Sequence, residues 1–173
     1  IAMANALTEG SVDAWGALYM RDFIKVDGFY IGLATLSFNI FMVLGRFSGD
    51  WIRDKIGVFL LILFLFLSTI ISLIILSNFN NIIAAIIGFS LLGIGASSIV
   101  PIAYSLAGKI EGIDSGVGIT IISIAVYGTF IGAPASLGFI ANNYGINNIF
   151  LPMLIIFIIL VLPISLYRKK FLI

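Results

Sequence analysis

The chain of 173 residues is 61% hydrophobic and 10% charged, with a mean hydropathy of +1.22; soluble domains carry roughly 25% charged residues, so a water-soluble globular protein is excluded. Nine basic and eight acidic residues give a net charge of +1, which leaves no basic field for nucleic acid. With no Cys and no His, disulfides, Cys or His zinc sites and Ser-His or Cys-His nucleophile pairs each lack a required member.

Six membrane-spanning helices are predicted, forming one all-α polytopic domain over residues 1–173. The first, 1–20, is apolar apart from Glu9 and Asp13. A charge near the bilayer centre costs about 2.5–3.5 kcal/mol on insertion scales, so these carboxylates predict a polar cavity or a partner. Glu9 falls near mid-depth, and Asp13, at i,i+4, shares its face roughly 6 Å further along. That face is expected to line an aqueous pathway, with Glu9 binding solute or carrying a proton; the alternative leaves Asp13 a solvated rim residue. Trp15 is either an interfacial anchor or a stacking platform for a sugar-like ligand.

The second helix, 29–49, leads into GRFSGDWIRDKIG, the densest charge in the chain, expected as a loop that pairs helix ends or anchors them. Beyond it, 56–108 and 115–167 each run 53 residues without a charge, enough for two crossings of about 20 residues and a turn. SNFNN at 77–81 and NNYGINN at 142–148 supply the turns. The remaining helices are therefore 58–76, 82–106, 117–141 and 149–167. The third and sixth, apolar on every face, are expected to face lipid. The fourth and fifth carry small residues, including Gly128 and Gly132 at GxxxG spacing, and are expected to be buried against protein. Pro101 and Pro134 predict kinks.

Six crossings put both ends on one side. Arg21 and Lys25 fall on one face of the membrane, and Arg46, Arg53, Lys55, Lys109, Arg168, Lys169 and Lys170 on the other, so both ends are expected in the cytoplasm of a bacterial inner membrane. A cleaved signal peptide and a β-barrel do not fit the pattern. A six-helix serine protease would need a His base, a magnesium phosphotransferase more converging carboxylates than Asp50 and Asp54, and a potassium channel a TVGYG-like filter. An enzyme is not expected, nor a metal or cofactor.

The run Gly-x-x-x-Gly-Asp-x-x-Arg-Asp-Lys-x-Gly at 45–57, followed by LLGIGASSIVPIAYSLAG and GVGITIISIAVYGTFIGAPASLGFIA and preceded by EGSVDAW, resembles the C-terminal six-helix half of the major facilitator superfamily, near its sugar-permease and fucose-permease branch. That resemblance implies an inverted three-plus-three repeat, with first and fourth helices lining a central cavity, second and fifth contacting the other half, and third and sixth facing lipid. The spacing Gly32 to Gly45 against Gly118 to Gly132 is loosely consistent with such a repeat. By position, Gly49, Asp50, Arg53, Asp54 and Gly57 would form the cytoplasmic gate, and Glu9, Asp13, Ser97 and Ser98 would border the cavity. Gly132-Ala133-Pro134 departs from the family's Gly-Pro pair. The expected function is transport of a small solute, sugar-like and proton-coupled in its sharpest form, by a chain that is inactive without a second six-helix half and is read as a C-terminal fragment. A non-transporting remnant or a protein that binds another helical bundle is the alternative.

Overall fold

The computed structural model describes residues 1–110 and 112–166. Its helices are α1 (Ala2–Asp22), α2 (Leu33–Asn78), α3 (Ile82–Ala96), α4 (Ile99–Ala107), α5 (Ser115–Tyr144) and α6 (Phe150–Leu166), with short 3-10 turns at Gly28–Gly32 and Ile146–Ile149. Four stretches among the described residues are long and apolar enough to cross a membrane: Gly28–Asn78, Ile82–Ala107, Ser115–Tyr144 and Ile146–Leu166. The helix bearing Glu9 and Asp13 is not among them. Arg168, Lys169 and Lys170, expected as an anchor, lie outside the described residues.

Two boundaries differ from the sequence expectation. The charged loop expected after residue 49 does not form: 50–56 stay helical and the chain turns at Gly57 alone, where φ is 80° and ψ is 162°. DWIRDK holds no helix breaker, and Arg53 bridges back to Asp50 at i,i+3 over 3.1 Å; only glycine enters that backbone region cheaply. The second difference is a break at Ser97–Ser98, which divides the expected helix 82–106 into α3 and α4. Pro101 explains its place. A helix needs the N–H of residue 101 for the Ser97 carbonyl, and proline has none.

Around α3 the two arms of α2 fold back on each other. Gly93 sits against the Phe38 carbonyl and the Met42 amide of the first arm, and Gly95 against Leu65 and Thr69 of the second. Ser68 and Ser72 of the second arm donate hydrogen bonds to the carbonyls of Leu91 (2.8 Å) and Gly88 (2.7 Å). In hydrocarbon an apolar side chain gains little by moving from lipid to protein, so close backbone approach and interhelical hydrogen bonds of this kind hold helices together. The small residues of the expected fourth helix are thus buried.

At the end remote from Gly57, Tyr19 packs edge-on against Phe89 and Phe150 and donates to the Leu76 carbonyl over 2.8 Å. Along the same side α6 runs beside the second arm of α2, with Phe66 and Phe157 at 4.8 Å between ring centroids. These two helices, expected to face lipid all round, instead each bury one stripe and expose an apolar outer face, including Phe64, Leu67 and Ile71 on one and Ile155, Ile159 and Leu162 on the other. Within this chain α5, expected to be buried against protein, exposes Ile121, Ile124, Tyr127, Ile131 and Phe139, and a Cβ at Gly128 or Gly132 would meet nothing within 4 Å. Among the described residues no helix lies over that face. Pro134 sits inside α5 without ending it.

Candidate functional site

Gly49, Asp50, Arg53, Asp54 and Gly57 line one cavity of about 550 Å³ at the bend of α2, together with Arg46, Ser98 and Lys109. The first arm of α2 winds helically into the bend, so Asp50, Arg53 and Asp54 fall within one turn of each other. Arg53 joins the carboxylates, 3.1 Å from Asp50 and 3.5 Å from Asp54. Both carboxylates are well exposed, so each pair adds little to stability; what the pairing does is fix the arrangement of charge at the cavity mouth. Lys55 lies over the Trp51 ring at 3.7 Å. The facing wall is α4, through Pro101, Ile102, Ser105 and Leu106.

The helix break forms the roof. A Cβ added to Gly45 would lie 2.6 Å from the Ser97 hydroxyl, and one added to Gly49 would meet the Ser98 hydroxyl. The GxxxG pair that brings helices close within this chain is therefore Gly45 and Gly49, not Gly128 and Gly132. Ser97, expected to border a cavity, is fully buried in this contact and donates to the Ile94 carbonyl over 2.7 Å. Ser98 reaches the cavity lining.

Two residues not singled out from the sequence meet at the break. Arg46 donates through Nε to the Ser97 carbonyl at 3.1 Å, and Asn5 of α1 donates through Nδ2 to the Ala96 carbonyl at 3.3 Å. Asn5 is 1% exposed, and among the described residues its buried Oδ1 has no partner. The signal in the sequence was a lone amide in an apolar segment, while Arg46 counted only toward the charge bias. Glu9, half-buried, stands one helical turn beyond Asn5 on the same face of α1. Among the described residues it forms no ion pair. Asp13 is exposed and lies away from the cavity. The ring of Trp15 rests on Gly138 of α5, where a Cβ would approach it to 3.1 Å, and its indole N–H is buried without an acceptor. Trp15 thus packs α1 onto α5, and neither it nor Asp13 joins the gate residues.

The chain is 34% identical over 136 residues to an uncharacterized MFS-type transporter of Yersinia pestis, covering 79% of this chain and 35% of that protein. It is 29% identical over 151 residues to the membrane protein MosC of Rhizobium meliloti, covering 86% and 36%. An uncharacterized transporter of Sinorhizobium fredii is 25% identical over 142 residues, covering 82% and 38%. The chain is similar to transporters. It spans little more than a third of the length of these relatives. No family model and no solved structure matches it.

Proposed function

We infer that this chain is a six-helix half of a major facilitator superfamily secondary transporter, moving a small solute only in company with a second half. The observation that carries the reading is similarity to a transporter over 79% of this chain but 35% of the relative. The uncovered apolar face of α5 supports it, since a second bundle needs such a surface. Bent at Gly57, α2 offers two arms; the first, 33–56, is about 36 Å long, sufficient for a hydrocarbon core of roughly 30 Å. Counting α1, the two arms, α3 with α4, α5 and α6 gives six crossings, and the proposal takes the three-plus-three repeat with them. The Gly57 end faces the cytoplasm on this reading, because Arg46, Arg53, Lys55 and Lys109 are on that side and Arg21 and Lys25 on the other.

In the transport cycle the charged end of α2 and the facing α4 form the cytoplasmic gate, and Glu9 is the proton-linked or solute-binding group of the pathway. The solute is small, with a sugar-like molecule as the first class to screen. The whole protein that carries this segment, reconstituted in vesicles, tests the reading by solute uptake with and without a proton gradient. Glu9→Gln abolishes uphill uptake and leaves downhill exchange; unchanged uphill uptake in that variant rejects proton coupling through Glu9. Absence of flux for every solute class would favour the non-transporting alternative.

A further inference from the structure

At the Ser97–Ser98 break three helices meet at two adjacent carbonyls. Neither carbonyl is served by the backbone donor of a continuous helix: that of Ser97 faces a proline four residues on, and that of Ala96 falls where α3 ends. A carbonyl left without a donor in a low-dielectric interior is costly, so the side chains that reach it act as structural substitutes for the missing helix bonds. Asn5 from α1 serves Ala96, and Arg46 from α2 serves Ser97. Gly45 and Gly49, one residue before Arg46 and three after, carry no side chain between the two helices and so allow the guanidinium to reach the carbonyl. The contact with Ser97 uses one of five guanidinium N–H groups, and among the described residues the other hydrogen-bond contact is a 3.5 Å approach to the Met42 sulfur. Glu9, one turn beyond Asn5 on the same face of α1, brings a carboxylate to this part of the molecule, where Arg46 keeps spare donors.

We propose that Arg46 is a positioning residue that holds the α3–α4 break closed by standing in for the missing N–H of Pro101, and that Glu9 is the competing acceptor able to draw it away. Because α4 is one wall of the cavity whose opposite wall is the charged end of α2, releasing Arg46 from Ser97 frees α4 to move at the gate. Engagement of Glu9 by solute is thereby linked to the cytoplasmic end of the protein. The role given to Glu9 rests on the transport reading; the Arg46–Ser97 contact does not.

The chain contains no Cys, so Ser98→Cys, with any cysteine outside this segment replaced, gives a single reporter at the break. In the whole protein that carries this segment, in membranes, Arg46→Gln should speed thiol labelling at position 98 by about tenfold, the change expected on losing one charge-assisted hydrogen bond to a buried carbonyl. Adding Pro101→Ala, which restores the backbone N–H, should return the rate to within about twofold of the Ser98→Cys parent if that bond is the cause. A role for Arg46 in charge balance alone predicts no rescue by Pro101→Ala, and absence of rescue overturns the proposal. Pro101→Ala alone should slow labelling or leave it unchanged, which checks that the proline replacement folds. Glu9→Gln, which weakens the competing acceptor, should slow labelling below the parent, and faster labelling would remove Glu9 from the mechanism while leaving the Arg46 contact standing. These rates are read without transport, so the Arg46 contact can fail while uptake persists, or hold while no solute is found.

Discussion

Glycines in this chain serve different ends at different positions, and the same substitution separates them. At Gly93 a methyl group would run into the Phe38 carbonyl and the Met42 amide, backbone atoms that cannot rotate aside. Gly93→Ala should cost about 1–3 kcal/mol, the usual range for overpacking a tight contact. At Gly128 and Gly132 the added methyl meets nothing, so Gly128→Ala and Gly132→Ala should stay within about 0.5 kcal/mol. Thermal unfolding of the detergent-solubilised chain, followed by tryptophan fluorescence, measures all three; equal losses would mean that α5 is covered by another part of the chain. This contrast also shows what could be read in advance. The glycines of the fourth predicted helix are legible as packing residues, because small residues cluster there in an apolar span, and Gly93 and Gly95 do pack against backbone. Gly45 and Gly49 are not, because the charges beside them suggest a loop. Asn5 stands out in the sequence only as a lone amide in an apolar segment: its importance comes from a carbonyl 91 residues away, and sequence spacing cannot report that contact.

At the level of elements, the bend in α2 depends on one residue. Gly57 is the lone non-helical position between Leu33 and Asn78, and its φ of 80° with ψ of 162° falls in backbone space that side chains with a Cβ avoid. Gly57→Val should therefore cost about 1–3 kcal/mol through backbone strain, although nothing lies within 4 Å of the added carbon. The strain can be told from a steric clash by Gly57→Ala, which adds only a Cβ into open space and should lose most of what the Val variant loses, because backbone at this φ and ψ is essentially open to glycine alone. A thermal midpoint for the Ala variant equal to that of the unsubstituted chain would show that the bend is set by the packing of both arms on α3. The charge-free runs and their Asn-rich turns made the all-helical architecture and the helix ends near 77–81 and 142–148 legible, since each rests on local composition. The break at Ser97–Ser98 was only half legible. Pro101 forecast the irregularity one turn before it, but the two side chains that stabilise it come from the partner helices α1 and α2.

For the molecule as a whole, the two outer surfaces look alike in composition and differ in what they meet. Ile131 on α5 is 82% exposed and Leu162 on α6 is 69% exposed, yet only α5 combines its apolar side chains with Gly128 and Gly132, which leave a shallow track for another helix. Around α6 the exposed positions are bulky, including Leu151, Ile155 and Ile159. A nitroxide placed by Ile131→Cys or Leu162→Cys, in a chain otherwise free of cysteine, distinguishes lipid from protein contact by its collision rate with oxygen dissolved in the bilayer. In this chain alone both labels should be highly accessible. In the whole protein that carries the segment, accessibility at 131 should fall severalfold while accessibility at 162 stays high, because the second bundle covers α5 and lipid continues to cover α6. If both remain high, the exposed face of α5 is a lipid surface, and the case for a second half rests on sequence similarity alone.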